Sequence, residues 1–147
     1  MEKLGLKCVV WLAPEEPNQG FLDFIDDQEI DFHHLGVMET VNASDPITED
    51  TILEAFELVL NKKNHPMAIM CNIGRHRTGT AVGCLRKLQG WNLASIFEEY
   101  QRYAAPKVRI HNEQFIELFD TDLVTIPEDP PSWLYRTFAG LKNTPST

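Results

Sequence analysis

Apolar positions along the chain follow two rhythms. Short runs at Cys8–Leu12 (CVVWL), Ile30–Leu35 (IDFHHL) and Met67–Met70 (MAIM) read as strands. Ala13–Pro17 (APEEP) ends the first run, because proline cannot donate to a strand ladder. Between and after the runs, apolar residues recur at helical spacing. Phe21, Phe24 and Ile25 share one side of a short helix over Phe21–Asp26. Ile52, Ala55, Phe56, Val59 and Leu60 share one face of Glu49–Leu60, with Thr48 as its cap and Glu49 and Asp50 in a first turn that favours acids. Ala81, Val82, Leu85 and Leu88 turn inward from Thr78–Leu88, which Gly90 ends. Asn92 caps a further helix that buries Leu93, Ile96, Phe97 and Tyr100, and the last helix covers Asn112–Phe119. Strands alternating with helices predict an α/β fold with a parallel sheet and crossover helices. From Thr121 onward prolines and polar residues dominate, with Trp133, Leu134, Tyr135 and Phe138 as docking anchors for a C-terminal tail and a loose end beyond.

A length of 147 residues suits one domain, read over 1–147 with residues 121–147 as its tail. With 43% hydrophobic and 24% charged residues, the composition is that of a globular chain and not a disordered one. No apolar stretch is long enough to span a bilayer, and MEKLGLKC carries no signal-peptide core. Cys8, Cys71 and Cys84 cannot all pair internally, and none has zinc-ligand spacing. These features predict a cytosolic or nuclear protein with reduced thiols that binds no membrane, with the cytoplasm as the first choice. The net charge of −9 disfavours nucleic acid as a partner. An anionic ligand would instead need a local basic pocket, from Arg75-His76-Arg77, Arg86-Lys87 or Lys107-Val108-Arg109. Paired charges on a helix are more often a solvated face.

The segment Cys71-Asn72-Ile73-Gly74-Arg75-His76-Arg77, then Thr78-Gly79, lies between a predicted strand and a predicted helix. There, successive backbone N–H groups can form an anion-sized nest at a helix N-terminus. Gly74 permits the backbone angles a nest needs, and Arg77 adds positive charge. The field that binds phosphate also favours a thiolate, so Cys71 is expected to be a nucleophile. A lone cysteine at a strand end would read as a small buried hydrophobe. An arginine six positions on shifts the balance. Cys8, in a strand, and Cys84, at the edge of a helix's apolar face, read as core residues, as do Trp11 and Trp91. Walker A is excluded because Thr80-Ala81 follows Gly79 where lysine is required, and no GxGxxG is present.

Cys-x5-Arg-Thr-Gly is the signature of the protein tyrosine phosphatase superfamily. The longer stretch NHPMAIMCNIGRHRTGTAVGCLRKLQGWNLASIFEEYQRYAAPK, followed by NEQFIELFD, resembles the plant and fungal atypical dual-specificity phosphatases. GRHRTGT and GCLRKLQGWNLAS are most similar to the fungal branch linked to oxidant-induced cell-cycle arrest. The similarity runs from about Leu4 to Asp120, with a related tail to Trp133. It implies a dual-specificity-phosphatase-like central sheet flanked by helices, with the Cys-x5-Arg loop between strand and helix. It also implies a cysteinyl-phosphate intermediate, no metal and no cofactor. The substrates implied are inositol pyrophosphates or phosphotyrosine-type esters, and the partners include related phosphatase-like proteins. By resemblance Cys71 is the nucleophile and Arg77 the phosphate clamp. Asn72, Ile73, Gly74, Arg75 and His76 supply backbone donors, Arg75 touches further phosphates, and the Thr78 hydroxyl steadies the leaving thiolate.

The chain also departs from these relatives. They carry His before the cysteine, where this chain has Met70, so one group that orients the loop is lost. Their acid loop often reads Gly-Asn-Lys-Glu-Pro-Phe; here Gly36–Thr48 reads GVMETVNASDPIT. Their sheets begin with an upstream strand carrying Arg-Ser-Gly, which this chain starts after; either a natural short form or a truncated one is the expectation, and absence of that strand would expose a sheet edge. Asp45, beside Pro46, is the first choice for the general acid that protonates the leaving oxygen, with Glu39 as runner-up. A turn or N-cap role competes for Asp45. His33 and His34 alternate on a strand, too few for a metal site. Lys107 and Arg109 follow a helix end and compete between the pocket rim and simple solvation. Two functions stand: a phosphatase, carried by Cys71, Arg77 and Thr78, and a phosphate-sensing scaffold with poor turnover, favoured by Met70 and the altered acid loop. A rhodanese-like sulfurtransferase also uses a loop thiolate, but Arg-Thr-Gly argues against it. An accessible catalytic thiol would also be peroxide-sensitive.

Overall fold

The computed structural model describes residues 5–35, 47–71 and 76–135. Three strands, β1 (Cys8–Trp11), β2 (Asp31–His34) and β3 (Met67–Met70), form a parallel sheet in the order β2-β1-β3. Trp11 aligns with His34 on one side and with Met70 on the other, so all three strands end at one rim. The central strand is fully buried, as its unbroken apolar run requires.

Side-chain alternation divides the sheet between two cores. Val9, Phe32, Ala68 and Met70 face α1 (Gln19–Asp27), which packs Phe21, Phe24 and Ile25 against them. Cys8, Val10 and Leu12, with Met67, Ile69 and Cys71, face the larger core. That core is filled by α2 (Glu49–Val59), α3 (Arg77–Leu88), α4 (Leu93–Ala104) and α5 (Ile110–Leu118). The two crossovers leave β1 and β2 in opposite lateral directions, so handed connections put α1 and α2 on opposite faces.

The helix boundaries follow the sequence pattern to within a few residues at each end. Asn18, Thr48 and Asn92 cap α1, α2 and α4 by accepting the N–H of Phe21, Thr51 and Ser95. Gly90 holds a φ of 92° just past α3, as a helix-ending glycine does. Cys84 is not at the edge of the apolar face of α3: it is completely buried, because α3 packs on both α4 and α5. Two glycines of α3 permit that packing. A Cβ on Gly83 would stand 2.5 Å from Ile116 Cδ1, and one on Gly79 would stand 3.3 Å from Tyr100 Cδ1.

The segment after α5 is tied to the core. Leu134 is completely buried, Trp133 packs against the large core, and Gln89 donates to the Trp133 carbonyl (3.1 Å). The anchoring expected of Trp133 and Leu134 is therefore observed, while Phe138 and the Tyr135 side chain lie outside what is described. Lys87 Nζ donates to the carbonyls of Ile116, Glu117 and Phe119, closing the C-terminal end of α5 from outside. Among the described residues no helix is long and apolar enough to cross a membrane.

Candidate active site

A sheet in the order β2-β1-β3 has its topological switch point between β1 and β3, where ligands of open α/β sheets bind. Cys71 and Arg77 flank that point, one following β3 and the other opening α3. Cys71 is the first residue beyond β3, and the period-two alternation of the strand turns it, with Met67 and Ile69, toward the large core. It is half-buried and unpaired as a thiol, while Cys8 and Cys84 are fully buried. Burial, helped by the Asp31 carboxylate, pushes the Cys8 thiol up to about 11. Burial pushes Cys84 further above the ordinary thiol range, with Lys87 opposing and Glu49 adding to the effect. Both therefore behave as core residues, and Cys71 is the cysteine within reach of a ligand.

Arg77 opens α3 and is 5% exposed. Its Nη1 donates to the Leu12 carbonyl at 3.4 Å, and the Leu12 N–H donates to the Met70 carbonyl at 2.8 Å. These bonds connect the ends of β1 and β3 to the guanidinium, and so bring Arg77 to the strand end from which Cys71 emerges. Thr78, one residue further on, has a buried hydroxyl that makes no hydrogen bond among the described residues. A buried hydroxyl in that condition is available to an incoming or departing group. His76 is the N-cap of α3, yet it makes no side-chain capping bond. The positive end of the α3 dipole thus lacks the side-chain oxygen that closes α1, α2 and α4.

Gly79 completes the Arg-Thr-Gly motif through packing and not through its backbone angle. It sits inside the first turn of α3 with the Tyr100 ring and the Tyr103 Cβ against it. Tyr100 is buried and accepts a hydrogen bond from Asn112 Nδ2 (2.9 Å), which fixes the start of α5 at the same level. The sequence pattern gave Tyr100 a place in the core; the buried Asn112 partner was not anticipated and had no signal beyond a polar residue near a helix start. Among the predicted site residues, Asn72, Ile73, Gly74, Arg75, Asp45 and Glu39 lie outside the described residues. Leu35, after β2, ends at the same rim as Cys71, and the described chain resumes at the buried Ile47.

A half-buried thiol after one strand and a buried guanidinium at the start of the next helix fit the class of cysteine-dependent phosphate-ester enzymes. Comparison with known proteins agrees. The profile of the tyrosine phosphatase family matches residues 1–137, and the chain belongs to that family and is a cysteine-based phosphatase. It is 57% identical over 135 residues to a Dictyostelium discoideum protein named as a probable tyrosine-protein phosphatase, DG1060, covering 92% of this chain and 81% of that one. It is 62% identical over 125 residues to the Mycosarcoma maydis protein OCA1, also named as a tyrosine-protein phosphatase, covering 84% of this chain and 79% of the relative. Among solved structures it is similar to the core catalytic domain of the PP-IP phosphatase SIW14 from S. cerevisiae, determined with citrate. That match has a TM-score of 0.76 and 38% identity, covering 97% of this chain and 78% of the other.

Proposed function

We propose that this phosphatase removes a phosphate from inositol pyrophosphates, with phosphotyrosine-type esters as the alternative substrates. The observation that carries the reading is the buried Arg77, whose guanidinium donates to the Leu12 carbonyl at the end of β1, beside the end of β3 that Cys71 follows. The likeness to a solved PP-IP phosphatase supports the substrate class.

The Cys71 sulfur attacks phosphorus in line as the bond to the leaving oxygen breaks. Arg77 spans two equatorial oxygens with its fork, a contact that a point-charge lysine does not reproduce. Asn72 to His76 supply backbone N–H donors, and Arg75 contacts a further phosphate. Stabilising the spread negative charge supplies most of the rate, as expected of a loose phosphoryl transition state. Asp45 donates a proton to the leaving oxygen; Glu39 is the second candidate. Both belong to the segment between Leu35 and Ile47, and Leu35 leaves the sheet at the catalytic rim. When the terminal phosphate of a pyrophosphate group is transferred to sulfur, the phosphate left on the ring departs as a stable anion and asks little of the acid, which suits a loop that departs from the family pattern. Water then attacks the cysteinyl phosphate, releasing inorganic phosphate and the thiol. The buried Thr78 hydroxyl donates to the sulfur as it leaves. The setting in this reading is the cytoplasm, and association with related phosphatase-like proteins belongs to the same proposal.

The test is phosphate release by wild type and Cys71→Ser from inositol pyrophosphate, phosphotyrosine peptide and aryl phosphate. Turnover of the pyrophosphate by wild type, abolished in Cys71→Ser, is expected. Binding without turnover, equal in both proteins, would instead establish a phosphate sensor.

A further inference from the structure

We propose that His34, at the end of β2, is a positioning residue for the phosphatase reaction: it fixes the peptide unit next to the one that Arg77 grips, and so sets where the guanidinium stands. The proposal rests on the reading of Arg77 as the phosphate clamp.

The end of β1 is held by bonds on successive peptide units. The Leu12 N–H donates to the Met70 carbonyl (2.8 Å), on the β3 side. The Leu12 carbonyl accepts from Arg77 Nη1 (3.4 Å). The Ala13 carbonyl accepts from His34 Nε2 (2.9 Å), from the β2 side. In extended chain the polar groups of one residue point to one neighbouring strand and those of the next residue to the other, so Leu12 serves β3 and Ala13 serves β2. The unit that Arg77 grips therefore lies between two anchored units. One is tied to the strand that leads into Cys71, the other to His34.

Among the described residues no backbone N–H bonds the Ala13 carbonyl. The next residue is Pro14, which has no N–H to offer, and Pro17 follows after Glu15 and Glu16. The Trp11 indole holds the Glu15 carbonyl (2.7 Å), two peptide units further on. Leu12 and Ala13 are buried, so a carbonyl that loses its donor there has no ready replacement in water. His34 is half-buried, with the Phe32 ring 6.2 Å away. A carbonyl oxygen only accepts, so the imidazole carries a proton on Nε2. Neutral and charged imidazole make this bond alike, and the role is that of a fixed donor. A guanidinium fork must meet two equatorial oxygens at once, so a tilt in its anchoring unit misaligns both contacts. The penalty falls on the transition state more than on ground-state binding.

Steady-state hydrolysis of aryl phosphate tests this. His34→Phe keeps a ring beside Phe32 and removes the donor; its kcat should fall about tenfold, with KM within about twofold. His34→Gln, whose amide N–H reaches a similar place, should keep kcat within about twofold and an unshifted pH profile. His33→Leu, on the opposite face of β2, should match wild type. In an Arg77→Lys background His34→Phe should change kcat by less than about twofold, because the group it acts through is gone. Inhibition constants separate positioning from a lost folded fraction, since they do not depend on how much enzyme is active. Vanadate, which takes up the five-coordinate geometry of the transition state, should bind His34→Phe about tenfold more weakly, and phosphate within about twofold. The role is overturned if His34→Phe matches wild type, if His34→Gln or His33→Leu is as impaired as His34→Phe, if the loss persists undiminished beside Arg77→Lys, or if vanadate and phosphate weaken equally. Should His34→Phe not fold, His34→Leu is read by the same constants, and unfolding of both assigns the bond to the frame and overturns the role. The clamp reading fails separately: Arg77→Lys with unchanged kcat/KM refutes it. A strong Arg77→Lys effect beside an innocuous His34→Phe refutes only the positioning.

Discussion

The hydrogen bond between Asn112 Nδ2 and Tyr100 Oη is 2.9 Å long and buried on both sides, which makes its energetic role calculable. Asn112 is 2% exposed and Tyr100 1% exposed, so neither group can turn to water when its partner is removed. Asn112→Leu strands the tyrosine hydroxyl, and Tyr100→Phe strands the amide. Each single change should cost about 1–3 kcal/mol, the penalty for an unsatisfied buried group. The double variant leaves two apolar surfaces in contact, and should lie well above the sum of the singles. The coupling energy should therefore be about 1–2 kcal/mol, the range found for residues in direct contact. Equilibrium unfolding in urea, fitted with a common slope, measures all four corners of the cycle. In a chain of this size each single variant should also melt lower by about 2–10 °C. A coupling below ~0.3 kcal/mol, the level of independent sites, would refute the claim that this pair ties α4 to α5.

Three other outcomes follow from the same structure. Arg77→Lys should lower kcat/KM about 100-fold or more, equivalent to ~3 kcal/mol of lost transition-state stabilisation, in steady-state assays with aryl phosphate. Gly79→Val should destabilise by about 1–3 kcal/mol in chemical denaturation, because its branches meet a Tyr100 ring already 3.3 Å from the Cβ position. The Cys8 thiol, held at about 11 when folded, loses its proton in the unfolded chain near the ordinary value of 9.0. The unfolded state is then favoured as pH rises from about 9 to 11, withdrawing up to roughly 3 kcal/mol. Cys8→Ala should flatten that alkaline decline in urea midpoints recorded against pH, and an unchanged slope would rule the thiol out as its source.

What the sequence disclosed and what it withheld divide along one physical line. Local pattern sufficed for the three strands, because CVVWL and MAIM are too short and too uniformly apolar to be amphipathic helices. It also sufficed for the caps Thr48 and Asn92, whose side chains act within three residues. The Cys-x5-Arg spacing was legible because both residues fall within seven consecutive positions between a strand and a helix. Contacts between distant segments were not legible. Nothing near Lys87 shows that it closes a helix about thirty residues later. Nothing near Arg86 shows that Glu99 and Trp91 consume its charge. Both had counted as material for a basic pocket, and tertiary packing assigns them to the frame. Gly79 belongs to the same group: the motif announces a glycine, and only the Tyr100 ring explains it.

The shared polarity of the strands has a consequence for how such a protein can change over generations. With every strand finishing at one edge, the groups that meet a ligand hang from connections, while the buried run of β1 and the helix interfaces lie beneath. Replacing a connection, such as the residues between β2 and α2, leaves that foundation intact. The scaffold can therefore drift in ligand preference one loop at a time, with the thiol and the guanidinium as its fixed points.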